Sequence, residues 1–279
     1  MTRLALPQVT LVAIDTRSPA LAAQALQRSM AGVDFARALL FTQGWQTPGT
    51  SPALAGITLA DCGPIASGAD YSHFVLRRLP AFVDTPHVLV TQWDGFVVDP
   101  SAWRPEFLDF DYVGAVWADA PLKGLVGNGG FSLRSQRLLR AGLDARIVDE
   151  HPEDLRLCSS YRALLERDHG VRFAPPALAR RFAFENEAPD GPTFGFHGPC
   201  NLPRFLDAAT LQQWLDALPD AFFRSRDARR LARALIGRGM APVAAQLLAR
   251  RRAAGMGDLK TRSLGWAAQA LSRFSSPGR

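Results

Sequence analysis

The run Val88-Leu89-Val90-Thr91-Gln92-Trp93-Asp94-Gly95 constrains this chain more than any other stretch, because an apolar, β-branched segment ends abruptly on a carboxylate. A short continuous apolar run bounded by glycine suits a strand buried on both faces. Ligands of open α/β sheets sit beyond the carboxyl ends of strands, where a single acid holds a divalent cation against a phosphate. The segments before it alternate in the same sense. Val9 to Asp15 reads as a first strand, and Ser18-Pro19 as N-cap and first helical position of an Ala/Leu-rich helix to about Met30. Two short strands fit Ala38–Thr42 and Ile57–Ala60, with a Gly/Pro/Ser/Thr-rich loop between them. Asp70 is expected to cap a helix carrying Tyr71, Phe74, Val75 and Leu79 at helical spacing and ending near Pro80. This order predicts an α/β fold, a mostly parallel sheet flanked by helices as an αβα sandwich.

Beyond residue 95 the pattern loosens. Phe107 to Trp117 reads as a further strand with flanks, helices are expected near 134–143 and 153–168, and the sequence is helical from Asp207 onward. With 279 residues the chain has room for one α/β domain and a smaller appendage. The expected division is 1–205 for the α/β domain and 206–279 for a basic α-helical extension. From Phe205 to the end there are thirteen Lys/Arg against five Asp/Glu, a net of +8, which leaves the first 204 residues at −2 within the total of +6. A charge excess confined to the tail argues against nucleic-acid binding by the main domain. No run reaches the about 18 apolar residues of a membrane span, and Met-Thr-Arg-Leu-Ala-Leu-Pro leads into a strand pattern without a signal-peptide core, so a cytoplasmic location is expected. Cys62, Cys158 and Cys200 are too scattered for a zinc knuckle or a disulfide framework.

Four clusters carry chemistry, and their order matters more than any one of them. Gln92-Trp93-Asp94 closes the constraining strand. Val126-Gly127-Asn128-Gly129-Gly130-Phe131-Ser132-Leu133-Arg134 has three glycines in four positions, which permit positive φ and close approach of backbone amides to a ligand. Pro152-Glu153-Asp154 places two acids at a helix start, and Phe194-Gly195-Phe196-His197-Gly198 holds a histidine between glycines and aromatics. Asp15, Thr16 and Arg17, at the end of the first strand, are placed to contact a nucleotide, with Asp15 on base or ribose and Arg17 near phosphate.

The order strand-end Asp, Gly-Asn-Gly-Gly-Phe-Ser, Glu-Asp and late His looks like the GT-A class of nucleotide-sugar-dependent glycosyltransferases. More closely, Tyr71-Ser72, Gln92 to Gly95, Asp111-Tyr112-Val113-Gly114-Ala115, Val126 to Ser135 and Phe194 to Gly198 resemble a bacterial family known as a domain of unknown function and regarded as glycosyltransferase-like. The resemblance covers about residues 8 to 203 and leaves the tail outside. It implies a GT-A-like fold, a nucleotide-sugar donor, a glycan or lipid-linked acceptor hydroxyl, and Mn²⁺ or Mg²⁺. Asp94 takes the place of the last acid of the GT-A Asp-x-Asp motif, Gln92 stands where the first acid would be, and His197 would supply the late metal ligand. Asp154 is expected as the base and Glu153 as an acceptor contact, which implies inversion at the anomeric carbon. Gly127, Asn128, Gly129, Gly130, Phe131 and Ser132 would bring backbone amides and the Asn128 amide to the sugars, with Gln92 and Trp93 beside them.

Two other readings remain open from the sequence. A sugar-nucleotide pyrophosphorylase needs a glycine-rich loop after the first strand, and Asp15-Thr16-Arg17-Ser18-Pro19 contains no glycine. A non-catalytic nucleotide-sugar or carbohydrate-binding module is supported by Gln92 in place of an acid. In the tail, Arg224 to Leu235 and Leu247 to Arg252 mix arginines with Leu and Ala, which suits either a peripheral contact with the anionic inner membrane face or a solvated basic surface.

Overall fold

A computed structural model describes residues 3–45 and 54–274; part of the expected loop before Ile57, at 46–53, lies outside the described residues. The chain forms two compact units, Met1–His197 and Gly198–Arg279. In the first, a six-stranded sheet is built from β1 (Leu4–Ile14), β2 (Val33–Thr42), β3 (Ile57–Asp61), β4 (His87–Thr91), β6 (Tyr112–Val113) and β7 (Phe131–Ser135), in the order β3-β2-β1-β4-β7-β6. β1, β2, β3 and β4 are parallel, while β7 runs antiparallel between β4 and β6. A second, three-stranded sheet joins β5 (Phe96–Val97), β9 (Gly195–Phe196) and β8 (Ala183–Phe184).

The large sheet is apolar on both faces, as the continuous run at 88–91 demands. Leu11, Ala13, Leu40 and Leu89 pack on one side with Ala22, Ala23 and Leu26 of α1 (Pro19–Met30). Val12, Phe41, Val88 and Val90 pack on the other with Phe74, Val75 and Leu79, which follow α2 (Gly68–His73), and with Leu139 of α3 (Gln136–Ala141). The expected α/β class and helix-flanked, mostly parallel sheet are therefore present.

Several local expectations change. Ser67, not Asp70, caps α2: its hydroxyl accepts from the Asp70 amide at 3.2 Å while Asp70 accepts from the Ser67 amide at 2.9 Å. This capping box keeps Asp70 inside the first turn. The expected strand over Phe107–Trp117 shrinks to the two residues of β6, preceded by a 3-10 turn at Pro105–Asp109. The segment expected to enter a helix at 134 instead forms β7 first, because its Phe131, Leu133 and Ser135 register against β4. The helix expected over 153–168 is broken into α4 (Glu153–Leu155), a π-turn and α5 (Arg162–His169); α6 (Pro176–Phe182) follows.

The second unit starts with a 3-10 turn at Pro199–Arg204 and continues through α7 (Ala208–Ala217), α8 (Asp220–Arg224), α9 (Arg226–Gly237), α10 (Ala241–Ala253) and α11 (Leu259–Phe274). Leu231 and Leu235 of α9 and Leu247 and Leu248 of α10 are buried. Two arginines of the basic run are tied into the unit, Arg251 buried and Arg250 partly so. Arg251 is 1% exposed and donates to the carbonyls of Phe223 and Ser225, both at 2.7 Å, while Arg250 lies over the Phe223 ring and donates to the Leu215 and Leu218 carbonyls. Among the described residues no helix is long and apolar enough to cross a membrane.

Leu89 sits at the centre of the sheet, fully buried between β1 and β7. Leu89→Ala is expected to lower the unfolding free energy by about 2–5 kcal/mol, read from the midpoint shift in urea denaturation followed by circular dichroism.

Candidate functional site

The site is assembled where β4 stops. After Thr91 the chain turns through Gln92-Trp93-Asp94-Gly95, closed by the Gly95 amide donating to the Gln92 carbonyl at 3.1 Å and the Thr91 hydroxyl donating to the Gly95 carbonyl at 2.7 Å. This turn feeds β5, whose Phe96 pairs with Phe196 of β9, so His197 leaves the small sheet next to Asp94. Nε2 of His197 lies 3.3 Å from Asp94 Oδ1 and 3.3 Å from Gln92 Oε1. On the ring's other edge, Nδ1 lies 3.4 Å from Glu185 Oε1. Burial acts to lower the His197 pKa, but the flanking carboxylates, Asp94 and then Glu185, outweigh it and hold the imidazole well above its ordinary range.

The glycine loop enters through β7. Antiparallel pairing of Thr91 with Phe131 brings the Gly130 carbonyl to the Gln92 amide at 2.9 Å. A Cβ on Gly130 would stand 2.1 Å from His197 Nε2, and one on Gly129 would stand 2.4 Å from Glu153 Oε1. These two glycines are required by close approach. Positive φ, one of the two reasons expected for the cluster, belongs instead to Asn128 at 66°, and none of Gly127, Gly129 and Gly130 adopts it. Asn128 is buried, and its Oδ1 accepts from the Gly130 amide at 3.2 Å.

Beneath the loop lies a buried ion pair. Arg134, fully buried, donates to Glu153 Oε1 at 2.8 Å, to Ser132 Oγ at 2.9 Å and to the Gly129 carbonyl at 3.3 Å. Burial pushes the Glu153 carboxyl up, with Arg134 opposing. Next to it, Asp154 is half-buried and accepts from the Gly129 amide at 2.9 Å through Oδ2 and from the Leu155 amide at 2.8 Å through Oδ1. Glu153, expected to contact an acceptor, is thus held by Arg134 at the base of the loop, whereas Asp154 reaches up to it.

At the end of β1, Asp15 Oδ1 accepts from the amides of Arg17 and Ser18 at 2.7 and 2.6 Å, turning the chain into α1. Burial pushes its carboxyl up against those amides, and the charge of Asp94 adds to the rise. The Thr16 hydroxyl donates to the Ile65 carbonyl at 3.0 Å, and Arg17 donates to the Ala66 carbonyl at 2.7 Å. Asp15, Thr16, Arg17 and Trp93 line an open chamber whose space, solvent at its mouth included, is about 710 Å³. A second open chamber, about 640 Å³ with the solvent at its mouth included, is lined by Asn128, Gly129, Gly130, Glu153, Asp154, Glu185 and His197. Gly68, Tyr71 and Gln92 line both, so the two form one cleft.

Two expected contacts are enclosed instead. Phe131 is fully buried against the rings of Phe182 and Phe194, and the Ser132 hydroxyl, also fully buried, donates to the Gly129 carbonyl at 3.2 Å. Strand alternation within β7 puts them on opposite faces, Phe131 among the aromatic rings and Ser132 beside Arg134, and both are enclosed. Sequence reasoning missed Glu185, Trp117, Gly68 and His151, all of which line the second chamber. For Glu185 a signal existed: Ala183-Phe184-Glu185 repeats in miniature the apolar strand ending on an acid. Among the described residues no three His, Cys, Asp or Glu side chains group to hold a metal.

Fold and site together define an open α/β domain with a polar cleft at the carboxyl ends of β1 and β4. Residues 57–197, half of the chain, match the family described as Protein of unknown function (DUF5672), and the chain belongs to that family. No curated protein matches it in sequence. In structure the chain is similar to the galactosyltransferase LgtC in complex with donor and acceptor sugar analogues, at 13% identity over 67% of this chain and 86% of that one, with a TM-score of 0.43. It is also similar to the mannosyltransferase PcManGT from Pyrobaculum calidifontis in complex with GDP-Man and Mn²⁺, at 15% identity over 98% and 84%, TM-score 0.41. A third is the apo-form glycosyltransferase GlyE of Streptococcus pneumoniae, at 16% identity over 70% and 54%, TM-score 0.41.

Because the Arg134–Glu153 pair is buried on both sides, removing one partner strands a charge. Glu153→Leu or Arg134→Met alone is expected to cost about 3–5 kcal/mol of stability, and the double replacement Glu153→Leu/Arg134→Met to recover most of it. Chemical denaturation of the three variants measures the coupling.

Proposed function

We propose that this protein is a divalent-metal-dependent glycosyltransferase that moves a sugar from a nucleotide-sugar donor to a hydroxyl of a glycan or lipid-linked acceptor, with inversion. One observation carries the reading. A single cleft gathers Gln92 and His197, with Asp94 buried 3.3 Å behind His197 Nε2, and a separate carboxylate, Asp154, that reaches the Gly129 amide.

The residues fit the metal. Asp94 Oδ1 is buried with only the 3.3 Å ion contact to His197 Nε2, and Gln92 Oε1 lies 3.3 Å from the same nitrogen, a mixed oxygen and imidazole set suited to Mn²⁺ or Mg²⁺. Bound there, the cation would neutralise the diphosphate leaving group. Arg17, with Asp15, Thr16 and Trp93 in the adjoining chamber, would hold the nucleotide, the guanidinium facing phosphate. Asp154 would accept the proton of the acceptor hydroxyl, its two oxygens oriented by the Gly129 and Leu155 amides. Attack by that hydroxyl on the face opposite the leaving group inverts the anomeric carbon. Glu153 and Arg134 would act from below by holding the loop, and Asn128 would turn its backbone toward the sugars.

The alternative of a binding module without turnover is favoured by one feature, the neutral Gln92 beside an Asp94 already paired with His197. A screen of nucleotide sugars for metal-dependent release of nucleoside diphosphate separates the two. Asp94→Asn is expected to abolish metal-stimulated donor binding. Asp154→Asn should bind donor as the wild type does and lose transfer by about 10²–10⁴-fold. Near-wild-type transfer by Asp154→Asn would falsify the assignment of the base.

Contact of the helical unit with an anionic inner-membrane surface belongs to the same proposal and rests on its net charge and on the exposed Arg226, Arg230 and Arg233 of α9. Replacing the three with Gln should weaken partitioning onto phosphatidylserine-containing vesicles by about 1 kcal/mol per arginine in a sedimentation assay. Unchanged sedimentation rules that surface out.

A further inference from the structure

The small sheet contributes a carboxylate to the site besides those the motifs suggest. β8 and β9 run parallel with Ala183 paired to Gly195 and Phe184 to Phe196, so the next residues, Glu185 and His197, leave the sheet side by side. The His197 amide donates to the Phe184 carbonyl at 3.0 Å and fixes that exit. Glu185 Oε1 then lies 3.4 Å from Nδ1, whereas Asp94 Oδ1 and Gln92 Oε1 each lie 3.3 Å from Nε2. The two nitrogens of an imidazole point from different edges of the ring, so a group at Nδ1 does not share an ion held at Nε2. Glu185 stands behind the histidine relative to Asp94. Its side chain is 23% exposed and that of His197 15%, which leaves the carboxylate close to the ring but not sealed with it.

We propose that Glu185 is the positioning residue of His197: accepting a hydrogen bond from Nδ1–H, it sets the tautomer and the ring rotation that present Nε2 to Asp94 and Gln92. The inference rests on the metal reading of the cleft. Metal-binding histidines characteristically donate their second N–H to a carboxylate, carbonyl or water, and loss of that partner costs about 10–100-fold in metal affinity. Close approach of Gly130 to Nε2 makes the rotation consequential, since a turned ring would present carbon to the space between Asp94 and Gln92. Glu185 touches neither the reacting atoms nor the ion in this arrangement.

The test is a Mn²⁺ titration of the full chain, followed by electron paramagnetic resonance and by calorimetry, for wild type, Glu185→Ala and Glu185→Gln, with thermal melts to show that each is folded. Glu185→Ala is expected to bind Mn²⁺ about 10–100-fold more weakly. Glu185→Gln keeps an acceptor oxygen for Nδ1–H and should restore most of the affinity. Equal affinity in wild type and Glu185→Ala overturns the inference. So does a Glu185→Gln variant as weak as Glu185→Ala, because negative charge or direct ligation would then be the property lost. Absence of Mn²⁺ binding by the wild type overturns the metal reading itself and this inference with it, a result distinct from equal, measurable affinities.

Discussion

The site depends on a buried ion pair that no substrate needs to touch. Arg134 and Glu153 lie 2.8 Å apart with side chains 1% and 6% exposed, and the guanidinium also ties down the Ser132 hydroxyl and the Gly129 carbonyl. A charge in that position must be paired, so the pair admits few arrangements of the loop above it. Glu153 in turn anchors the first turn of α4, which places Asp154 under the Gly129 amide. Loop, base candidate and helix start are thus held by one electrostatic contact.

Geometry on the other side of the cleft comes from strand register. A two-residue strand has little stability alone, yet β5, β9 and β8 together fix three side chains from distant segments, because pairing Phe96 with Phe196 and Phe184 with Phe196 leaves Asp94 and Glu185 at different edges of the His197 ring. The aromatic rings supply the adhesion: Phe96 and Phe184 both pack on Phe196. Apolar packing of the sheet's interior therefore positions the polar groups at its edge.

Much of the architecture was legible in the sequence where a periodic pattern was long enough to be read. The strand at 88–91, the helix opened by Ser18-Pro19 and the apolar runs of β1 and β2 follow directly from residue order. Short elements were not legible: β5, β8 and β9 have two residues each, below the length at which alternation carries information. Of the site, the clusters around Asp94, Gly130, Asp154 and His197 stood out by composition, whereas Glu185 did not, since the apolar run before it, Ala183-Phe184, is only two residues long. Phe131 and Ser132 stood out by motif but are enclosed on opposite faces of β7, because both faces of that strand are covered.

By itself, the sequence determined the class of fold and the identity of the polar groups available, because hydrophobic periodicity and glycine placement are local properties of the chain. Which groups meet was decided only by tertiary structure. His197 follows Asp94 by more than a hundred residues, and their 3.3 Å approach arises from antiparallel pairing of β5 with β9, a long-range contact that neither segment encodes alone. The same holds for Glu153, whose acidity at a helix start suggests an exposed contact and whose pairing with Arg134 exists only once β7 has folded against β4.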